Sequence, residues 1–155
     1  MKIKHIVVAT DLTEWSLPAL QAGLDLAELS AGRVTLVHTL EPPPTPPGLE
    51  AFALEGMPMD WVNRVNDARE QLVERQLAEI ASANRRAPAV IETQLLQGLM
   101  PETLVEFLNK SGADLLIVGS HGRRGVAHLF LGSVAEQLMR TAPCPVLVVK
   151  PNTPA

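Results

Sequence analysis

Five short runs, at residues 3–9 (IKHIVVA), 33–40 (RVTLVHTL), 89–96 (AVIETQLL), 114–118 (DLLIV) and 145–149 (PVLVV), read as strands that are predominantly apolar and do not alternate strictly. A strand with one wet face alternates with a period of two, so predominantly apolar runs belong to a sheet covered on both faces. The segments between them carry apolar residues three and four apart, which gives strand and helix in strict alternation. That order predicts an α/β fold: a doubly wound, five-stranded parallel sheet with helices on both faces. In such sheets ligands bind beyond the carboxyl ends of the strands, near the point where strand order reverses. The positions this singles out are Thr10 and Asp11, His38 and Thr39, Gln97 and Gly98, and Gly119 and Ser120.

The helices are bounded by local signals. Thr13 reads as an N-cap with Ser16 three positions on, Pro18 belongs near a helix start, and Leu17, Leu20, Leu24 and Ala27 recur until Gly32. From Asp60 a long helix carries Val62, Val65, Ala68, Leu72, Gln76 and Ile80 along one face. A helix over residues 101–110 is stopped by Gly112, and another over about 133–140 ends before Pro143 and Pro145. Residues 41–59 break the pattern with six prolines, Pro42, Pro43, Pro44, Pro46, Pro47 and Pro58. Each lacks an N–H and restricts its predecessor, so neither regular helix nor central strand forms there. A solvated loop and a lid or partner-docking segment both fit that composition.

A length of 155 residues is the size of one domain. The net charge of −4, with 13 Lys plus Arg, does not attract a polyphosphate backbone, and 3% aromatics with no Tyr leaves few platforms for stacking bases. Nucleic acid is therefore not the expected partner. One cysteine excludes a disulfide within the chain and fits a reducing cytoplasm. No apolar run reaches the roughly 18 residues of a membrane helix, and Lys2, Lys4 and His5 interrupt the first one, so neither a membrane span nor a signal peptide is read. His5, His38, His121 and His128 lack paired metal-ligand spacing. Cys144 between two prolines reads as a small buried hydrophobe, and Trp15 and Trp61 as packing residues.

The segment 119–133, GSHGRRGVAHLFLGS, follows a strand and opens a helix. Glycines there let backbone N–H groups approach an anion closely, and the helix start adds free donors and the positive end of a dipole, so phosphate is the natural guest. Arg123 and Arg124 either add charge to that site or are solvated in the loop.

The spacing G-x2-G-x9-G-S (Gly119, Gly122, Gly132, Ser133), the first-strand ending Ala9-Thr10-Asp11 and the last-strand reading A-P-C-P-V-L-V-V closely resemble the universal stress protein family over residues 4–150. The resemblance implies a Rossmann-like domain of the adenine nucleotide alpha hydrolase-like type, spanning residues 1–155, that binds an adenine nucleotide. It places the ribose on Asp11, adenine on the backbone at Thr39, and the phosphates on the glycine loop and the hydroxyl of Ser133, with Gly98 lining the same cleft. The full set it implies is Ala9, Thr10, Asp11, Thr39, Gly98, Gly119, Ser120, His121, Gly122, Arg123, Gly132, Ser133 and Val134. ATP is the implied ligand, with Mg or Mn held through its phosphates where present; AMP and cyclic AMP are the alternatives. A homodimer through residues 145–149, a cytoplasmic setting and a regulated protein partner follow from the same resemblance. Thr13 stands where the family commonly has Ser, and Met100 where many members have Pro, with Pro101 one later.

Catalysis is not written into the chain. There is no G-x-x-x-x-G-K-[ST] motif, and none of Lys2, Lys4, Lys110 and Lys150 lies in the glycine loop, which excludes a P-loop ATPase. His121 and Glu136 are the nearby groups that could orient a water, and neither has a partner visible in sequence. The reading is a regulatory binding protein with at most slow ATP hydrolysis; the rival is a protein-contact scaffold whose cleft is unused.

Overall fold

The computed structural model describes residues 2–42, 59–120 and 132–150. Strands β1 (His5–Ala9), β2 (Arg33–Leu40), β3 (Val90–Gln97), β4 (Leu115–Gly119) and β5 (Val146–Val149) alternate with helices α1 (Leu17–Ser30), α2 (Met59–Ala83), α3 (Glu102–Ser111) and α4 (Ser133–Thr141). Every strand pair is parallel, in the order β3-β2-β1-β4-β5. The chain steps outward from β1 to β3, then crosses back to lay β4 and β5 on the other side. Strand order therefore reverses between β1 and β4, and a crevice opens beyond their carboxyl ends.

Two apolar layers sandwich the sheet, and strand pleat sorts residues between them. Ile6, Val8, Val34, Leu36, Leu115 and Ile117 face α1 and α2 and meet Leu20, Leu24, Val73 and Leu77. Val7, Val37, Leu116 and Val118 face α3 and α4 and meet Leu104, Leu108, Ala135 and Leu138. Helix α1 lies so close to β1 that a Cβ at Gly23 would stand 2.7 Å from Val8 Cγ2.

The amino-terminal end of the sheet is tied by polar contacts. Asp114 Oδ2 accepts from the N–H of Lys4 (2.8 Å) and of His5 (2.9 Å), and these bonds hold its carboxyl below the usual range. The buried His5 ring shares a hydrogen bond with Thr35 Oγ1 at 2.8 Å; burial, then the charge of Arg33, push its pKa down.

Several expectations need correction. Helix α2 buries Val73, Leu77 and Ala81, whereas Val65, Ala68, Leu72 and Gln76 are exposed. The helix carries two apolar stripes side by side, and only tertiary packing decides which one faces the sheet. Strand β3 is largely exposed, with only Ile91, Leu95 and Leu96 half-buried, because it is an edge strand that α2 covers incompletely. Trp15 is 48% exposed and stands outside the core. The first strand starts at His5, two residues late, and Pro101 caps α3 from outside its first turn.

Candidate functional site

The first wall of the crevice is the turn that follows β1. The Thr10 N–H donates to Val37 O at 2.9 Å, the last rung between β1 and β2. Leu12, in the left-handed region at φ +66°, then reverses the chain. Ser16 Oγ donates to Thr13 O (2.8 Å), so the proton shared between Thr10 Oγ1 and Ser16 Oγ (2.7 Å) comes from Thr10, whose oxygen accepts from Leu12 N–H (3.0 Å). Within this network Asp11 Oδ1 accepts from the N–H of Thr13 (3.0 Å) and from its hydroxyl (2.6 Å). One carboxylate oxygen thus locks the turn. The other, Oδ2, is buried and has no hydrogen-bond partner among the described residues.

These contacts revise the reading of Thr13. It does not cap α1: it precedes a one-turn 3-10 helix, Glu14–Ser16, and its hydroxyl turns back to Asp11. Helix α1 begins at Leu17 with Pro18 in its first turn, where the missing N–H costs nothing.

The second wall is β2, which outlasts β1 by His38, Thr39 and Leu40. Val37 O and Arg33 N bond toward β1, and Leu40 O bonds toward β3, so the parity of the strand turns the N–H and C=O of Thr39 to the side where β1 has ended. The Thr39 hydroxyl is buried and has no partner among the described residues. Beside it, buried His38 donates from Nδ1 to Thr10 O at 2.8 Å, which pins the two strand ends together and fixes the tautomer. Gly98, at φ +144°, ends β3 and donates its N–H to Leu40 O (3.2 Å).

The third wall is the start of α4. Gly119 closes β4, and Ser120 is buried, with its N–H on Val149 O (2.8 Å) and its C=O accepting from Gly132 N–H (3.1 Å). The first bond within α4 runs from Glu136 N to Gly132 O (3.0 Å), which leaves the N–H groups of Ser133, Val134 and Ala135 without an acceptor inside the helix. Ser133 and Val134 are exposed there. Gly132 has ordinary dihedrals, and among the described residues a Cβ on it would meet only Ser120 O, at 3.5 Å. None of the described residues demands glycine at this position. Its lack of a side chain keeps the approach to three backbone donors clear.

Ala9, Thr10, Asp11, Thr39, Gly119, Ser120, Gly132, Ser133 and Val134 thus stand at the carboxyl ends of β1, β2 and β4 and at the start of α4. His121, Gly122 and Arg123, with Arg124, lie outside the described residues. Gly98 has a packing reason of its own, since a Cβ there would stand 2.2 Å from Thr103 Oγ1. Glu136 is engaged by Arg140 Nη2 at 2.6 Å, one turn down α4 and away from the helix start. Among the described residues no three His, Cys, Asp or Glu side chains gather to hold a metal ion, and no helix is long and apolar enough to cross a membrane. The sequence marks His38 as a strand-end position and Thr13 with Ser16 as a helix cap; the structure makes all three positioning residues. Two hydroxyls within five residues of a strand-terminal Asp are the signal that marks such a turn.

In physical terms the crevice offers acceptor oxygens at the ends of β1 and β2 and, at the start of α4, N–H donors that have no acceptor within the helix. A molecule that donates hydrogen bonds at one end and carries an anion at the other complements both.

Comparison with known proteins gives a consistent picture. The model of the Universal stress protein family matches residues 2–150. A universal stress protein of Methanocaldococcus jannaschii is 29% identical over 149 residues, covering 95% of this chain and 82% of that one. The solved structure of another protein of that organism superposes with a TM-score of 0.77 at 23% identity, covering 99% and 100% of the two chains. A universal stress protein from Archaeoglobus fulgidus in complex with dAMP matches with a TM-score of 0.63 at 24% identity over 97% and 100%. Another, in complex with cAMP, matches at 0.61 and 23% over 96% and 98%. At these identities the solved structures establish the shared fold.

Proposed function

The chain belongs to the universal stress protein family, and on that premise we propose that it is a regulatory protein that binds an adenine nucleotide, ATP foremost, at the carboxyl ends of β1, β2 and β4. The observation that carries this reading is the Asp11 carboxylate: Thr13 holds one oxygen in place, and the other is buried with no donor among the described residues. A buried charged acceptor without a donor is costly, and a ribose diol supplies the two O–H donors it lacks. The backbone of Thr39 reads the base edge. The N–H groups at the start of α4, past Gly132, receive phosphate oxygens, and Ser133 and Val134 flank them. Mg or Mn accompanies the ligand through its phosphates. Relatives of the same fold solved with dAMP and cAMP support an adenine nucleotide as the class of ligand.

Signalling follows from association. Strand β5 ends the sheet, and Leu147 on it is exposed, so its outer edge suits pairing with a second copy. Nucleotide binding beside Ser120, which is bonded to Val149 of β5, then biases that pairing. The setting is the cytoplasm, where Cys144, half-buried and with its thiol pKa raised by burial, stays reduced.

The direct test is to denature freshly purified protein and identify the released small molecules by chromatography and mass spectrometry. An adenine nucleotide released in proportion to protein supports the reading. The variant Gly132→Ala then isolates the anion site: it is expected to fold with a stability change within about 1 kcal/mol, yet to bind ATP at least tenfold more weakly. Full affinity in that variant would remove the start of α4 from the site.

A further inference from the structure

Thr39 occupies a position where valine would cost the fold less. It lies in a strand, is only 8% exposed, and its Oγ1 is buried with no hydrogen-bond partner among the described residues. A buried hydroxyl without a partner destabilises a protein by the full desolvation of that group, whereas the isosteric methyl does not. Strand propensity does not favour threonine over valine either. A group that the described residues leave unsatisfied, two residues past the last β1–β2 rung, is accounted for if something bound there completes it.

The geometry narrows what that is. The backbone N–H and C=O of Thr39 lie in the plane of the sheet and turn to the side where β1 has ended. The side chain stands off that plane, on the face shared with Val37 and Ala9, which α3 and α4 cover. Three polar groups of one residue therefore converge on one end of the crevice. Asp11 Oδ2, also without a partner among the described residues, follows the end of β1.

We propose that the Thr39 hydroxyl hydrogen-bonds directly to the purine ring of the bound nucleotide and is a specificity-determining contact of this chain, beyond the backbone reading of the base. This rests on the proposal that an adenine nucleotide occupies the crevice. The hydroxyl either donates to a ring nitrogen or accepts from an exocyclic amine, and it rotates to suit. Its cost in the ligand-free protein is regained on binding, so free-state stability and affinity are tied with opposite signs.

That opposition gives the test. Thr39→Val, Thr39→Ser and the unsubstituted protein are stripped of nucleotide, melted, and titrated with ATP by calorimetry. Thr39→Val is expected to melt a few degrees higher than the unsubstituted protein when free, and to bind ATP about tenfold more weakly. Thr39→Ser keeps the hydroxyl and is expected to bind within threefold. Unchanged ATP affinity in Thr39→Val, or a lower melting temperature of the free variant, would overturn the inference and leave the proposed function standing. Absence of binding in the unsubstituted protein, with its unfolding still cooperative, would remove both.

Discussion

Replacement of Gly98 by alanine separates a packing role from a ligand role at the crevice edge. Two costs are visible. The φ of +144° lies where an L side chain is strained, which costs about 1–3 kcal/mol. The new Cβ would also stand 2.2 Å from Thr103 Oγ1 and 3.3 Å from Thr103 Cβ. Rotation about χ1 moves Oγ1 but not the Thr103 Cβ, so full relief requires α3 or the end of β3 to move, and overpacking of this kind costs about 1–3 kcal/mol. The sum, about 2–6 kcal/mol, lowers the melting temperature of a chain this size by about 4–24 °C. Thr103→Ala in the same background removes Oγ1 and Cγ2 and should restore the steric part, leaving the backbone strain. Urea denaturation of the four proteins of this double-mutant cycle measures the coupling directly. A Gly98→Ala variant within about 0.5 kcal/mol of the unsubstituted protein, or one that Thr103→Ala does not rescue, would refute the account of why glycine stands there.

Two further predictions concern the layers that hold the crevice in place. Gly23→Ala gains up to about 1 kcal/mol in helix propensity but drives a methyl onto Val8 Cγ2 at 2.7 Å, in a fully buried β-branched side chain that cannot swing away; urea denaturation should show a net loss of stability, and a gain would contradict the packing. His5 is held below its ordinary pKa, so as pH falls through the ordinary imidazole range the unfolded chain takes up a proton that the fold resists, and stability falls with it. Asp114 has the same sign at lower pH, where protonation weakens its bonds to Lys4 and His5. Denaturation midpoints between pH 7.5 and 5 should decline in the unsubstituted protein and flatten in His5→Gln; parallel slopes would assign the acid sensitivity elsewhere.

Much of this architecture is legible from the chain because strand and helix alternate with clear periods. The strand β2 matches residue for residue, and Gly112 ends α3 in the left-handed conformation at φ +63°. The errors have a common cause. The stripe of α2 that faces the sheet, the exposure of β3 and the position of Trp15 all depend on which surface a neighbour covers, and that is tertiary information. At the site, the strand-end positions follow from the fold class alone. The single bonds that shape them do not: the Thr10–Ser16 pair, the return of Thr13 to Asp11 and the brace from His38 need three-dimensional proximity. Gly98 is instructive because resemblance places it on the cleft, whereas the close approach of Thr103 supplies a sufficient reason of its own.

The central claim is that the Asp11 carboxylate and the start of α4 form one nucleotide site. Calorimetric titration of ATP, ADP, AMP and cyclic AMP into nucleotide-free protein, alongside Asp11→Ala, tests it most directly. Hydrogen bonds to a charged acceptor are worth about 1.5–3 kcal/mol, so Asp11→Ala should bind the preferred nucleotide at least tenfold more weakly while still unfolding cooperatively. Equal binding by both proteins, or no binding of any of the four by a protein that still unfolds cooperatively, would contradict the claim.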